Sequence, residues 1–96
     1  MSKGYIIRHL KIINSDAFKS EYASRIAPML EAFGGRFLVR GGTVSHAEGE
    51  KADIDVVAEF SDVAAAQAFL SSDSYKEIEP GRTENTTGQF MIIEGV

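Results

Sequence analysis

The sequence predicts an α+β fold whose elements follow the order β-α-β-β-α-β, which is the ferredoxin-like arrangement. Four short segments are rich in β-branched and aromatic residues, which is typical of strands. Two segments repeat apolar residues every three or four positions, which is typical of amphipathic helices. Glycine pairs and polar stretches separate these segments. The order predicts a four-stranded antiparallel sheet with the helices on one face.

The first strand is predicted over residues 4–13, and a helix follows it. Asn14 and Ser15 are both suitable N-cap residues. The helix carries an apolar stripe that faces a core, formed by Phe18, Tyr22, Ile26, Leu30 and Phe33. Pro28 interrupts this stripe, and proline removes a backbone donor and clashes with the preceding turn. We therefore expect a kink or break near residues 24–27.

The second strand lies between two glycine pairs, in the run Gly-Gly-Arg-Phe-Leu-Val-Arg-Gly-Gly at residues 34–42. Gly34 is predicted to end the helix in the left-handed conformation. Strict alternation over residues 36–40 would place Phe37 and Val39 on one face and Arg40 on the other. A polar connection over residues 41–53 leads to the third strand.

The third strand is predicted over residues 54–60, and Ser61 is predicted to cap the second helix. A serine-rich break at residues 71–74 offers a new cap for one or two further turns. Those turns are expected to end at Pro80-Gly81, because proline and glycine commonly stop a helix. Residues 82–87 are then predicted to be a polar loop before a last strand at residues 89–94.

The length of 96 residues predicts one domain over residues 1–96. The composition excludes several classes of protein. The chain has no cysteine, so disulfides and thiol nucleophiles are excluded. The net charge of −4 argues against a nucleic-acid partner. No apolar run is long enough for a signal peptide or a membrane span, so we expect a cytoplasmic protein with no membrane partner. No motif for a nucleotide, a bound cofactor or a metal site is present.

Three of the four predicted strands carry large apolar residues on both faces. Two helices cover only one face of such a sheet. An exposed apolar face of this size exceeds what soluble monomers normally tolerate. We therefore predict a homodimer that forms through the open sheet face.

The run at residues 34–42 resembles the signature of the family called domain of unknown function 1330. The resemblance extends over nearly the whole chain and in the same order. It includes residues 4–7 (GYII), Glu48-Gly49, residues 72–75 (SDSY), Arg82 and the closing residues 94–96 (EGV). The chain departs from the family pattern at residues 50–53, where the family often has tryptophan and prolines. It also departs at Phe69, where an aromatic residue, often tryptophan, is usual, and at Pro80-Gly81, where a continuous helix is more common.

The resemblance implies a ferredoxin-like protomer that forms a dimeric α+β barrel. Barrels of this kind elsewhere include cofactor-independent monooxygenases of antibiotic biosynthesis and muconolactone isomerases. This likeness belongs to the fold, and function does not travel with a fold.

Five residues are candidates for a site. Arg40 stands at a strand end beside two glycines, where its planar guanidinium could bind a carboxylate. Arg82 is a second candidate for the same purpose, and Tyr5 could orient a ligand through its hydroxyl. His9 and Tyr75 are the candidates for proton transfer. For each residue a structural alternative stays open: Arg40 in a rim ion pair, His9 in the dimer interface, and tyrosines in the core.

Two hypotheses of function follow. The first is a cofactor-independent enzyme that acts on a small anionic or aromatic molecule in a pocket between sheet and helices. Arg40 or Arg82 would then hold the anion, and His9 or Tyr75 would transfer a proton. The second is a non-catalytic homodimer that binds a metabolite or has a structural function.

Overall fold

A computed structural model describes residues 2–96, and it confirms the ferredoxin-like α+β fold. The strands are β1 Gly4–Ile12, β2 Arg36–Arg40, β3 Ile54–Phe60 and β4 Thr86–Glu94. They form one antiparallel sheet in the order β2-β3-β1-β4. The helices are α1 Ser15–Phe18, α2 Ile26–Ala32, α3 Val63–Ser71 and α4 Asp73–Thr83. Within residues 2–96, no helix has the length and apolar character needed to cross a bilayer.

The first helical segment breaks where Pro28 predicts a break. Asn14 caps α1, because its side-chain oxygen accepts a hydrogen bond from the Ala17 backbone N–H. A π-helical turn, Lys19–Ala23, continues α1, and α2 begins only at Ile26. Pro28 is the third residue of α2, in the first turn, where its missing N–H leaves no helical bond unmade. The π turn itself was not predicted from the sequence.

Gly34 ends α2 in the left-handed conformation, as predicted, with φ of 78°. The Gly34 N–H bonds the Glu31 carbonyl, and the Gly35 N–H bonds the Leu30 carbonyl. These two bonds form a Schellman motif, which satisfies carbonyls left free at the helix end. The chain then turns directly into β2.

The predicted alternation of β2 is wrong beyond Leu38. The register passes from Phe37 opposite Ala58 to Val39 opposite Val57, so Leu38 forms a β-bulge. Because the bulge adds one residue, Phe37 and Arg40 share the face toward the helices. Val39 lies on the opposite face. The sequence offers no glycine or proline at Leu38 to mark the bulge.

Two predictions about the second half of the chain are also wrong. Asp62, and not Ser61, caps α3 through its carboxylate and the Ala65 backbone N–H. Helix α4 continues through Pro80-Gly81 to Thr83, so residues 82–87 are not a loop and β4 begins at Thr86. Gly81 is buried, and a Cβ there would lie 2.9 Å from the Glu21 Cβ. Close packing of α4 against the π turn therefore explains the glycine better than helix termination does.

The two faces of the sheet differ strongly in burial. The face toward the helices holds the core, built from large apolar residues that include Ile6, Leu10, Tyr22, Leu30, Phe60, Phe69, Tyr75 and Ile78. The other face, called the open face below, has no helix over it within residues 2–96, and residues 41–53 border it only near His9. Its half-buried residues include Tyr5, Ile7, Val57 and Met91. Among these core residues lies one buried charged residue, Arg8.

Candidate anion-binding site

A row of four residues crosses the core face of the sheet. Arg8 pairs with Val56 on β3 and with Phe90 on β4, and Val56 pairs in turn with Arg40 on β2. The row therefore reads Arg40, Val56, Arg8, Phe90. Adjacent strands lie about 4.8 Å apart, so the Cα atoms of Arg8 and Arg40 are about 10 Å apart. The bulge at Leu38 brings Arg40 into this row.

Arg8 is a buried cation without a hydrogen-bonding partner for two of its nitrogens. Its side chain is only 2% exposed, and Nε and Nη2 make no hydrogen bond to residues 2–96. The guanidinium carbon lies 5.5 Å from the Tyr22 ring centroid and 5.1 Å from that of Phe90. These aromatic faces attract the cation, but they do not satisfy its N–H donors.

A small cavity lies beside Arg8, between the sheet and the first helical segment. Its lining consists of Arg8, Phe18, Tyr22, Ala23, Ile26, Phe37, Arg40, Ile54 and Val56. The cavity has room for about 20 Å³, which corresponds to about one water molecule. Its two charged lining residues are both arginines, and no carboxylate is among the lining residues. The cavity is therefore positively charged and otherwise mostly apolar.

Two buried tyrosines connect Arg8 to a second arginine. The hydroxyls of Tyr22 and Tyr75 are 2.9 Å apart, and Arg82 Nε donates to the Tyr75 hydroxyl at 3.2 Å. The Arg82 guanidinium also stacks on Phe90, at 4.0 Å from the ring centroid. Helix α4 carries Tyr75 and Arg82, so its continuation past Pro80 places them in one network.

The surroundings shift the pKa of two groups in this cluster. Burial lowers the pKa of Arg8 below its ordinary value, the two tyrosines oppose that shift, and Arg82 and Arg40 add to it. Burial raises the pKa of Tyr22 well above its ordinary value, although the Arg8 charge acts in the opposite direction. Tyr22 therefore stays a neutral hydroxyl at physiological pH. Arginine stays protonated even in such surroundings.

Arg40 lies at the exposed side of the cavity. Its Nη2 donates to the Ala23 backbone carbonyl at 2.6 Å, and its guanidinium stacks on Phe37 at 4.5 Å. Ala23 is the last residue of the π turn, so this bond joins the edge strand to the first helical segment. The alternative interpretation of Arg40, a rim ion pair, does not form with any carboxylate of residues 2–96. Glu59 instead pairs with Arg36 at 3.0 Å.

The open face carries a separate set of polar contacts. His9 Nδ1 lies 2.6 Å from Asp55 Oδ1. The Tyr5 hydroxyl donates to the Glu59 carboxylate at 3.0 Å. A cleft of about 550 Å³ lies between His9 and the polar connection, residues 41–53. Among residues 2–96, no group of three or more His, Cys, Asp or Glu side chains is placed to hold a metal ion.

The structure thus divides the five predicted site residues into two groups. Arg40 lines the cavity, and Tyr75 and Arg82 connect to it through Tyr22. His9 and Tyr5 lie on the opposite face, so one chain does not bring all five together. Sequence reasoning missed Arg8 and favoured core packing over ligand binding for Tyr22. The available signal for Arg8 was a charged residue at the centre of the apolar alternation Ile6, Arg8, Leu10.

Fold and site together define a ferredoxin-like α+β protein with a buried arginine cluster between its sheet and its helices. Residues 3–96 match the family described as domain of unknown function DUF1330, and the chain belongs to that family. No protein with a curated description matches the sequence.

Three solved structures show the same fold. The RPA0582 protein of Rhodopseudomonas palustris, described as of unknown function, is 15% identical with a TM-score of 0.71, over 97% of this chain and 80% of that one. SnoaB of Streptomyces nogalater, a cofactor-independent oxygenase, is 13% identical with a TM-score of 0.69, over 97% of this chain and 92% of SnoaB. An ethyl tert-butyl ether D (EthD) family protein of Bacillus halodurans is 15% identical with a TM-score of 0.56, over both chains in full. At these identities the likeness concerns the fold alone.

Proposed function

We propose that this protein binds a small organic anion between its sheet and helices and acts on it as an enzyme without a bound cofactor. The observation that carries the proposal is Arg8, a buried guanidinium with two unpartnered nitrogens. A buried charge without a partner costs several kcal/mol. A bound carboxylate would satisfy those donors with the planar geometry that guanidinium favours.

The cavity limits what can bind. Room for about one water molecule suffices for one carboxylate oxygen, but not for a whole metabolite. The rest of the ligand would therefore extend toward the exposed side chain of Arg40. Phe18, Phe37 and Ile54 give that path apolar walls, so the body of the ligand would be flat and apolar. An aromatic carboxylic acid meets both requirements.

The neighbouring groups suit the stabilisation of negative charge. Arg8 and the neutral hydroxyl of Tyr22 would be fixed donors toward an oxygen that becomes anionic during a reaction. Tyr75 and Arg82 would orient the Tyr22 hydroxyl through the hydrogen bonds that join them. No carboxylate or imidazole lines the cavity, so a proton acceptor would come from the substrate or from solvent.

The catalytic part of the proposal is supported by analogy with SnoaB, a cofactor-independent oxygenase of the same fold. The second candidate, a non-catalytic binding protein, is favoured by the absence of a general base from the cavity lining. The two candidates share the anion site and differ only in whether a bound ligand is converted.

We further propose that two copies associate through the open face. Ile7, Val57 and Met91 lie side by side on neighbouring strands of that face. Each is half-buried within the chain and has no covering layer. His9 and Tyr5 would then belong to the interface between copies, because they lie on the same face.

A ligand screen tests the anion site. Thermal shifts would be measured with benzoate, cinnamate and salicylate, and with benzylamine as a cation of similar size. We expect the acids, and not the amine, to raise the melting temperature of the wild type, because a ligand that binds only the folded state stabilises it. Arg8→Met should abolish these shifts, and Arg36→Met, on the open face, should keep them. Acid shifts that persist in Arg8→Met would contradict the proposal. Each stabilising acid would then be incubated with the protein in air and analysed by mass spectrometry. Conversion of the acid would support the enzyme, and an unchanged acid would support the binding protein.

A further inference from the structure

Both arginines that line the cavity lack a carboxylate partner. The ion pairs formed by residues 2–96 include Arg36 with Glu59 and Arg82 with Glu79, but none includes Arg8 or Arg40. Among residues 2–96, Arg40 makes one side-chain hydrogen bond, to the neutral carbonyl of Ala23, and it stacks on Phe37. A guanidinium has five N–H donors, so most of those on Arg40 stay available to a ligand. The cavity therefore has two unneutralised positive charges.

The two charges lie at opposite ends of the cavity. Arg8 is in the interior, whereas Arg40 is exposed. Val56 lies between them in the row across the sheet, and their Cα atoms are about 10 Å apart, two strand spacings. Phe37 and Ile54 complete the apolar wall between the two ends.

We infer that the natural ligand carries two anionic groups, one bound by Arg8 and the other by Arg40, joined by a short flat apolar spacer over Val56. Aromatic dicarboxylates are the chemical class that fits this arrangement. This inference rests on the proposed function, because it assumes that Arg8 binds the first anionic group.

Charge balance favours two anionic groups over one. A monoanion neutralises Arg8 but leaves the positive charge of Arg40 beside the apolar part of the ligand. A second carboxylate would receive charge-assisted hydrogen bonds from Arg40. The effect of Arg40 on the pKa of Arg8 agrees with their closeness. A second carboxylate should therefore strengthen binding by about tenfold or more.

The larger cleft on the open face lacks this feature. Its lining includes the carboxylates of Asp55, Glu50 and Glu48, which pair with His9, Lys11 and His46, and Lys51 is its one charged residue outside these pairs. An anionic ligand would have to compete with those carboxylates. The cavity on the helix side, by contrast, has two arginines and no carboxylate in its lining.

Isothermal titration calorimetry can test the inference with benzoate, isophthalate and terephthalate. We expect at least one of the two dicarboxylates to bind the wild type about tenfold more tightly than benzoate. Arg40→Met should lower dicarboxylate affinity by more than it lowers benzoate affinity, and so remove this advantage. Arg36→Met removes the same charge from the opposite face and should leave the advantage intact.

The possible failures are distinguishable. If benzoate binds in a manner that depends on Arg8 but neither dicarboxylate binds more tightly, the dianionic ligand is contradicted and the anion site stands. If the dicarboxylate advantage persists in Arg40→Met, the second subsite is not at Arg40 and the inference fails. If none of the three acids binds the wild type, both the inference and the proposed anion site are overturned.

Discussion

At the scale of single residues, Arg8 is the position where stability and binding conflict. It lies between Ile6 and Leu10 on the core face, where an apolar side chain would pack without losing hydration. Contacts with the Tyr22 and Phe90 rings offset part of the desolvation cost, by about 0.5–2 kcal/mol each. The unpartnered nitrogens Nε and Nη2 leave the rest uncompensated. A ligand that accepts hydrogen bonds from these nitrogens would explain why an arginine occupies this position.

The first prediction follows from this conflict. Arg8→Met should raise the free energy of unfolding of the ligand-free protein by about 1–3 kcal/mol, because a buried unpaired charge is replaced by an apolar side chain of similar length. Urea denaturation followed by circular dichroism measures the change. Arg36→Met removes the same charge at an exposed position and should change stability by less than about 1 kcal/mol. A loss of stability in Arg8→Met would show that the aromatic contacts outweigh desolvation.

The second prediction concerns Glu59 on the open face. The hydrogen bond from Tyr5, and then that from Arg36, hold the pKa of Glu59 below its ordinary value. A lowered pKa in the folded state stabilises the protein above the ordinary pKa of glutamate, and this contribution is lost as pH falls through the lowered value. Tyr5→Phe should therefore raise the pKa of Glu59 toward the ordinary value, measured by NMR titration of its side-chain carboxyl carbon. An unchanged pKa would show that the Tyr5 hydrogen bond contributes nothing in solution.

At the scale of elements, the predictable features were those with local causes. The Asn14 cap, the break before Pro28 and the left-handed Gly34 each depend on a few neighbouring residues, and each was predicted correctly. The bulge at Leu38 and the continuation of α4 through Pro80 depend on packing between distant segments. Local sequence carries little information about such contacts, and this is why those two predictions failed.

The third prediction tests the close approach of α4 to the π turn. Gly81→Ala should destabilise the fold by about 1–2 kcal/mol, because the added methyl group meets Glu21 at 2.9 Å and this outweighs the better helix propensity of alanine. Gly42→Ala is a matched control, since no atom lies within 4 Å of a Cβ at that position. The control should change stability by less than about 0.5 kcal/mol. Thermal unfolding of both variants measures the difference, and equal stabilities would contradict the packing explanation.

At the scale of the whole molecule, the sequence predicted the number and order of the strands and the apolar character of both sheet faces. It predicted only part of the candidate site. Arg40, Tyr75 and Arg82 were chosen as polar residues near element ends, and the structure places all three on the helix side. Arg8 was missed because alternation assigns a residue to a face without showing whether a charge there finds a partner. His9 and Tyr5 were grouped with the others although they lie on the open face of β1. The sequence does not show which of the two faces of a strand forms the pocket.

The fourth prediction concerns self-association. Size-exclusion chromatography with light scattering should give twice the chain mass at micromolar concentration, because half-buried apolar residues of the open face need a cover. Ile7→Glu, at the centre of that face, should give the mass of a single chain. Ala64→Glu, which adds the same charge on the exposed surface of α3, should stay dimeric. A wild-type protein that elutes as a monomer would contradict association through this face.

The most direct test of the central claim is an NMR titration that follows the side-chain Nε–H signals of the arginines while benzoate is added. Binding of the carboxylate by Arg8 predicts a saturable shift of the Arg8 Nε–H signal, because this donor has no partner in the free protein. The Arg36 signal, from a donor already bonded to Glu59, should stay in place. An Arg8 signal that does not move up to the solubility limit of benzoate, or that moves only together with Arg36, would contradict an anion site at Arg8.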